Sequence, residues 1–145
     1  MRHGVEMDWL GAWLAAIAAL ASSDDVRWAG VLGGLDDVRA EAFASADSAL
    51  LGEVYVRGNS ARETDAELIR DYERRGARVV GAELIVLSCK VRRSSADQVR
   101  LEVVDRLAPA HVEWDDGTTR ALPRDLPTHR FVTLLRTSSG WRIGN

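Results

Sequence analysis

Residues 42–60, AFASADSALLGEVYVRGNS, join the end of one apolar helix pattern to a second apolar segment that runs into Tyr55. Upstream of this stretch, apolar residues recur at three- and four-residue steps, which predicts a helix with one apolar face over about six turns. The run Ser-Ser-Asp-Asp at residues 22–25 favours a helix start, because it supplies acceptors and negative charge where the helix dipole is positive. The apolar face consists of Trp28, Val31, Leu32, Leu35, Val38, Ala42, Phe43 and Ala46.

Capping residues divide the following part of the chain into two shorter helices. Asp47 or Ser48 can cap a helix over residues 49–54, because their side-chain oxygens accept hydrogen bonds from free backbone N–H groups. The sequence Ser-Ala-Arg-Glu at residues 60–63 matches a capping box and predicts a third helix over residues 60–75, ended by the glycine that follows. The residues of this helix predicted to face inward are Leu68, Ile69 and Tyr72.

After the third helix the apolar period changes to two, which indicates half-buried strands. Two long strands are predicted over residues 79–92 and 99–107. Shorter strands follow at residues 111–114, 118–122, 131–137 and 141–143. The residues predicted to lie on one face of each long strand are Ile85, Leu87, Cys89 and Val91 in the first, and Val99, Leu101, Val103, Asp105 and Leu107 in the second.

Helices followed by antiparallel strands predict an α+β fold, with N-terminal helices packed on one face of a curved antiparallel sheet. The length of 145 residues is that of a single domain with a sizeable core. We assign this domain to residues 24–145 and consider residues 1–23 separately.

Residues 1–23 contain the uncharged run WLGAWLAAIAALASS, which fits two interpretations. The run is shorter than the roughly 18–20 apolar residues of a membrane span. A signal or anchor is favoured by Arg2 and by the small-x-small spacing at residues 19–21, whereas Glu6 and Asp8 cancel the positive charge that a signal needs. A helix that packs against the rest of the protein explains the same residues. We favour this interpretation and expect a cytoplasmic location. Secretion or membrane association through residues 1–21 is the alternative.

Charge and cysteine content exclude several classes of function. The net charge of -3 gives no electrostatic basis for nucleic-acid binding. Cys89 is the only cysteine, which excludes an internal disulfide and a cysteine-based zinc site. The sequence has no GxSxG elbow, phosphate loop or HExxH motif, so we expect no metal and no cofactor. Arginine supplies 18 of the 19 basic residues, a bias typical of a high-GC genome such as that of an actinobacterium.

Three stretches carry a family resemblance: LDDVRAEAFASADSALLGEVY at residues 35–55, LEVVDRL at 101–107 and VTLLRTSSGWRI at 132–143. They resemble the NTF2-like (SnoaL-like, cystatin-like cone) superfamily, in a small actinobacterial-type branch. The resemblance extends over about residues 24–144 and implies an α+β cone, with a pocket between the concave sheet face and the helices. This fold serves isomerases, dehydratases, polyketide cyclases and noncatalytic binding modules, so the fold alone does not decide the function.

Three residues are candidates for catalysis in such a pocket. Asp105 is predicted to lie among the apolar residues of its strand, where its pKa can be shifted for use as a general base. Tyr55 can donate a hydrogen bond to an oxyanion, and His111 is a second candidate base. In isomerase-like members of the superfamily the base lies in an acidic stretch after the second helix, but GEVYVRGNS here offers only Glu53. The residues predicted to bind a ligand are Trp28, Tyr55, Leu101, Val103, Trp114 and His129.

Two classes of function therefore stay open. The first is a noncatalytic binding or interaction module, whose hydrophobic pocket holds a small apolar ligand or a partner chain and which forms a homodimer through its sheet. The second is an isomerase-, dehydratase- or polyketide-cyclase-like enzyme that uses Asp105 or a histidine as general base. An Asp105 carboxylate in an apolar cavity near Tyr55 or a histidine would favour the enzyme. An Asp105 bonded to arginine would favour the module, which we prefer because the acidic stretch is missing.

Overall fold

The computed structural model describes residues 22–144, so the segment interpreted as a packing helix or signal (residues 1–21) lies outside it. Within the described part, helices precede strands, which confirms the predicted α+β class. None of these helices is long and apolar enough to cross a bilayer. The elements are α1 (Ser23–Ala44), a 3-10 helix (Ser48–Glu53), α2 (Ser60–Arg74), β1 (Ala77–Val80), β2 (Leu84–Ser94), β3 (Gln98–Leu107), β4 (His111–Trp114), β5 (Thr119–Ala121), β6 (Thr128–Thr137) and β7 (Gly140–Ile143).

The start of α1 is where the sequence predicts it. The Ser22 hydroxyl accepts a hydrogen bond from the N–H of Asp25 (3.0 Å), and the acidic first turn complements the helix dipole. The Asp25 carboxylate also accepts a hydrogen bond from the N–H of Val91 (2.8 Å), which attaches the start of α1 to β2. The predicted apolar face is confirmed, and α1 packs against β1, β2 and the 3-10 helix. Its buried apolar residues are Trp28, Leu32, Leu35, Ala40, Ala42 and Phe43.

A Schellman motif centred on Ala46 ends α1. The N–H of Asp47 donates to the carbonyl of Ala42 (2.9 Å), and the N–H of Ala46 donates to the carbonyl of Phe43 (3.4 Å). Ala46 has a φ of 53°, in the left-handed region where a Cβ is strained and glycine is the usual residue. The Asp47 side chain then caps the 3-10 helix by accepting from the N–H of Ala49 (3.1 Å). The small acidic turn therefore ends one helix and begins the next.

The start of α2 differs by one residue from the predicted capping box. Asn59 is the N-cap instead of Ser60, and its side-chain oxygen accepts from the N–H groups of Ala61 (2.8 Å) and Arg62 (3.1 Å). Asn59 is buried, so the cap lies inside the protein, whereas Ser60 faces solvent. An asparagine side chain reaches these N–H groups as well as serine does, which explains why the sequence pattern did not separate the two positions.

The inward face of α2 was predicted correctly for Ile69 and wrongly for Leu68. Ile69 is buried and Tyr72 packs against the core, but Leu68 is 44% exposed. The inward face continues upstream to Asp65, four residues before Ile69, so a buried carboxylate occupies the position where an apolar residue would be expected.

The strand predicted over residues 79–92 is bent at Gly81 into β1 and β2. Gly81 has a φ of +82°, and a Cβ there would lie 3.2 Å from the carbonyl oxygen of Pro109, so this bend requires glycine. The N–H of Ala108 donates to the carbonyl of Glu83 (2.8 Å) and keeps the two chain segments together across the bend. Before the bend β1 pairs with β4, and after it β2 pairs with β3. The two pairings have the same antiparallel register.

A β-bulge in β2 explains why Leu87 is exposed although it was predicted to face the core. Val86 lies opposite Asp105 and Ser88 lies opposite Val104, so Leu87 is the extra residue in its strand. The bulge changes which residues face inward, and Leu87 is consequently 51% exposed. The residues of β2 that pack against the core are Val86, Cys89 and Val91.

The strands form two open antiparallel sheets and not the single curved sheet predicted. The smaller sheet has the order β1–β4–β5, and the larger sheet has the order β2–β3–β6–β7. The N–H of Ile143 donates to the carbonyl of Val54 (2.8 Å), and the N–H of Val56 donates to the carbonyl of Ile143 (3.0 Å). These bonds attach the segment after the 3-10 helix to the end of β7, so the helices and the larger sheet are joined through the backbone.

The left-handed conformation of Ala46 leads to a testable prediction. Ala46→Gly removes the strained Cβ, and we expect the free energy of unfolding to rise by about 0.5 kcal/mol after the greater flexibility of glycine is subtracted. Ala44→Gly is the matched control, because residue 44 is helical and glycine should there be destabilising by about 0.5–1 kcal/mol. Urea denaturation of both variants measures the difference. A loss of stability in Ala46→Gly equal to that in Ala44→Gly would contradict the Schellman geometry.

Candidate functional site

The inner face of the larger sheet changes from apolar to polar along its length. Val99, Leu101 and Val103 of β3 are fully buried, and the next inward residue is the buried Asp105. On β6, Val132 and Leu134 are buried, and Arg130 continues the same face toward the polar end. The predicted alternation of β3 is therefore confirmed, and Asp105 marks the point where the sheet face becomes charged.

Asp105 is held in an ion pair with Arg130. The Arg130 guanidinium donates to Asp105 Oδ2 from Nη2 (2.7 Å) and from Nε (3.1 Å). Arg130 lies opposite Val103 in the register of the sheet, which places it diagonally across from Asp105. The Asp105 side chain is 4% exposed and that of Arg130 is 35% exposed. Asp105 is thus bonded to arginine, the arrangement that favours a structural role.

A second buried ion pair involves Tyr55, the predicted oxyanion donor. Arg39 donates to Asp65 Oδ2 from Nε (2.7 Å) and to Asp65 Oδ1 from Nη2 (3.0 Å), a two-pronged geometry that is strong for arginine and carboxylate. The Tyr55 hydroxyl also donates to Asp65 Oδ2 (2.7 Å). Burial and the neighbouring carboxylate raise the pKa of Tyr55, so its hydroxyl stays protonated. This hydroxyl is already bonded to a side chain of the protein.

Asp36 is a buried carboxyl that sequence reasoning missed. It projects from α1, is 5% exposed, and its Oδ2 has no hydrogen-bond partner among residues 22–144. Burial raises the pKa of Asp36 to about 6, and the positive charges of Arg130 and Arg39 only partly oppose this effect. We define the buried polar cluster as Asp36, Arg39, Tyr55, Asp65, Asp105 and Arg130.

The sequence contained a signal for part of this cluster. Asp36 lies four residues after Leu32 and Arg39 lies four residues after Leu35, so both fall on the apolar stripe of α1. Asp65 lies four residues before Ile69 on the inward face of α2. Charged residues in phase with an apolar stripe are candidates for buried pairs, whereas the pairing partners on other elements depend on the tertiary fold.

The two histidines do not meet at Asp105. His111 is partly exposed on β4, and its Nε2 lies 3.7 Å from Glu113 Oε2. His129 is exposed on β6, and its Nε2 lies 2.7 Å from Glu102 Oε2. Hydrogen bonds from His129 and Arg92 lower the pKa of Glu102, as expected for a surface ion pair.

The remaining predicted ligand-binding residues belong to the core. Trp28 packs edge-on against Trp141, with ring centroids 4.7 Å apart. Leu101 and Val103 have no exposed surface, and Trp114 is partly buried at the end of β4. Within residues 22–144 no three side chains of His, Cys, Asp or Glu converge as metal ligands would.

Three of the surface clefts formed by residues 22–144 lie outside the buried polar cluster. One, of about 370 Å³, is lined by charged residues around α2, among them Arg57, Arg62 and Arg70. A second, of about 140 Å³, lies beside Ala46 and Gly76. The third, of about 410 Å³, is lined by residues 106–110 and 121–125 and contains two prolines; we call it the proline cleft.

The proline cleft has apolar walls, and hydrogen bonds hold together the two chain segments that line it. The N–H of Leu107 donates to Asp125 Oδ2 (2.7 Å), and the N–H of Leu122 donates to the carbonyl of Ala110 (2.9 Å). These bonds hold the loop after β5 against the end of β3. Arg106 and Arg124 also line the cleft, and neither has an ion-pair partner within residues 22–144. Because the carboxylate of Asp125 also lines the cleft, the cleft offers apolar side chains together with a net charge of one positive unit.

Comparisons with known proteins support the fold and leave the family open. The chain matches no protein-family model and no curated protein. The intermembrane space region of the chloroplast protein ARC6 superposes with a TM-score of 0.53 at 15% identity, over 83% of this chain and 93% of that one. At this identity the likeness shows the fold alone.

Two other solved structures resemble the chain less and support no inference. A protein named as a calcium/calmodulin dependent protein kinase II association domain, from Xanthomonas campestris, has a TM-score of 0.44 at 13% identity, over 74% of this chain and 76% of that one. A protein from Catenulispora acidiphila has a TM-score of 0.41 at 12% identity, over 93% of this chain and 88% of that one.

The ion pair of Asp105 leads to a prediction about stability. Asp105→Asn keeps the volume of the side chain but removes the charge that Arg130 binds. We expect the free energy of unfolding at pH 7 to fall by about 1–3 kcal/mol, less than for a fully buried pair because Arg130 can reach water. Asp97→Asn, in the exposed turn between β2 and β3, is the control and should change stability by less than about 0.5 kcal/mol. An Asp105→Asn protein as stable as the control would contradict a structural role.

Proposed function

We propose that the protein is a noncatalytic binding or interaction module of the NTF2-like class. The observation that carries this proposal is the ion pair between Asp105 and Arg130, because it occupies the best candidate base with a cation. Tyr55, the candidate oxyanion donor, is bonded to Asp65 in the same way. Both side chains therefore stabilise the fold, and neither is available to a substrate in this arrangement. The order of helices and antiparallel sheets is consistent with the proposed class.

The ligand site in this proposal is the proline cleft and not the interior. Leu101 and Val103, which were expected to line an interior pocket, are completely covered by packing. The proline cleft has apolar walls that include Leu107 and Leu122. Its two arginines outnumber its one carboxylate, Asp125, so the cleft favours a negative group. The ligand chemistry that fits is a small apolar body with one carboxylate or sulfonate. This refines the expected apolar ligand by adding a charged end.

The partner in this proposal is a second copy of the chain, bound through the outer face of the larger sheet. Phe131 on this face is 45% exposed, with Arg100 stacked over its ring at 4.8 Å. The ion pair of Glu102 with Arg92 lies beside it, so the face combines a central aromatic ring with charged groups around it. Such a composition is common in protein interfaces.

An enzyme of the isomerase, dehydratase or cyclase type is the second candidate, and Asp36 is the observation that favours it. A carboxyl whose pKa is raised to about 6 by burial has the character of a general base near neutral pH. The three clefts described above do not include Asp36 among their lining residues. A substrate would need access to Asp36, so we rank the enzyme below the module.

Binding of anilinonaphthalene sulfonate, an apolar body with one sulfonate, tests the proline cleft. We expect saturable fluorescence that decanoate displaces. Ala121→Trp fills the cleft at an exposed position and should abolish the signal, whereas Arg124→Ala should raise the Kd about fivefold through the loss of one charge contact. Arg120→Ala is the matched control, since Arg120 is exposed on β5 outside the cleft. Binding that survives Ala121→Trp, or that Arg120→Ala weakens as much as Arg124→Ala, would reject this site.

Sedimentation of a charged variant tests the second copy as partner. Phe131→Glu places a carboxylate at the centre of the outer sheet face, and we expect it to convert a dimer to a monomer because a buried unpaired charge is unfavourable. Leu68→Glu on α2 is the control, because Leu68 is exposed to a similar degree on another surface. Analytical ultracentrifugation across a range of concentrations reports the state. A monomeric parent protein, or a dimer unaffected by Phe131→Glu, would exclude the sheet interface.

A further inference from the structure

Asp36 is faced by charged groups of α1, β3 and β6, yet none of them is hydrogen-bonded to it. Arg130 on β6 donates both of its hydrogen bonds in this region to Asp105 on β3. Arg39, on α1 with Asp36, donates to Asp65 on α2, which also accepts from Tyr55. The two nearby guanidinium groups are therefore already engaged by other carboxylates.

The charge of this region is unbalanced when Asp36 is ionised. Three carboxylates (Asp36, Asp65 and Asp105) then face two guanidinium groups, and Asp37 adds a further negative charge from the outer side of α1. An ionised carboxylate without hydrogen bonds in a buried site is strongly unfavourable, and such a group usually takes up a proton instead. The proton removes the excess negative charge without any movement of the ion pairs.

We infer that Asp36 is a proton-binding site of the folded protein, which holds a proton in mildly acidic solution and becomes a buried anion without a bonded partner when the proton leaves. The unsatisfied Oδ2 and the near-complete burial of the side chain carry this inference. The pKa of Asp36, raised by burial from the ordinary 3.8 to about 6, agrees with it. The inference does not depend on the proline cleft or on a dimer.

The direction of the pH effect is opposite to that of an ordinary aspartate in an ion pair. Because the pKa of Asp36 is higher in the folded state, folding takes up a proton between about pH 4 and pH 6. The contribution of Asp36 to the folding equilibrium is therefore largest below this range and is lost as the pH rises through 6. Between pH 5 and pH 8 the loss amounts to about tenfold in the folding equilibrium constant.

Other carboxylates act in a different pH range. Hydrogen bonds lower the pKa of Asp25, Glu102, Glu113 and Asp116 below their ordinary values of 3.8 and 4.5. Their contribution to stability is present above those ordinary values and is lost as the pH falls through the lowered ones. Between pH 5 and pH 8, Asp36 is consequently the one of these five carboxylates whose contribution to stability changes with pH.

Asp36→Asn, compared with Asp37→Asn, tests the inference. Asp37 is the next residue of α1 and is exposed. The two aspartates therefore have the same side chain and neighbouring positions in the helix but differ in burial. We expect urea denaturation of the parent and of Asp37→Asn to show a folding equilibrium constant about ten times larger at pH 5 than at pH 8. Asp36→Asn should lack this difference and fold more favourably than the parent at pH 8. The difference between the two variants therefore reports the contribution of Asp36.

A second measurement covers the case in which Asp36→Asn does not fold. Titration of the Asp36 side-chain carboxyl carbon by NMR in the parent protein should give a midpoint near pH 6. A midpoint at or below pH 4 would overturn the inference. So would a folded Asp36→Asn protein with the same pH dependence as Asp37→Asn.

Discussion

The burial of α1 is the constraint on which the rest of the structure depends. One face of this helix carries Trp28, Leu32 and Phe43 into the core, and the same face carries Asp36 and Arg39. Charged side chains can be buried there only if other elements supply counter-charges or if a proton neutralises them. The second helix supplies Asp65, and the larger sheet supplies the pair of Asp105 and Arg130. The polar end of the sheet is therefore matched to the polar part of the helix.

Most charged side chains of the interior are bonded to one another. Arginine is suited to this role because its planar group binds a carboxylate through two hydrogen bonds, which fixes direction as well as distance. Arg39 and Arg130 each hold one aspartate in this way, and Tyr55 adds a third donor to Asp65. Groups that looked like catalytic candidates in the sequence thus stabilise the packing of helices on strands. The proline cleft, in contrast, is lined by Arg106 and Arg124, which have no ion-pair partner within residues 22–144.

Much of the fold could be predicted from local pattern, because helix caps, apolar stripes and strand alternation depend on neighbouring residues. The start of α1, the end of α2 and the inward face of β3 belong to this group, as does the cap of the 3-10 helix, which was predicted at Asp47 or Ser48. The bulge at Leu87 and the two-sheet arrangement were missed, since both are decided by pairing with distant strands. The site was less predictable than the fold. Asp105 was correctly placed on the inner face, but its bond to Arg130 joins residues 25 positions apart, and Asp36 was hidden within an apolar helix pattern.

The bend at Gly81 has a consequence for how the chain folds. The register of β2 with β3 continues into that of β1 with β4, so residues 77–114 form one long hairpin that bends where Gly81 passes Pro109. Closing the short turn between β2 and β3 brings the two halves of this hairpin together. Each residue pair that forms after this turn then closes only a small additional loop. Pairing of β1 with β4 therefore avoids most of the entropy cost of a contact between distant residues. One strand pair of each sheet, β2 with β3 and β1 with β4, can therefore form by successive zipping from a single turn.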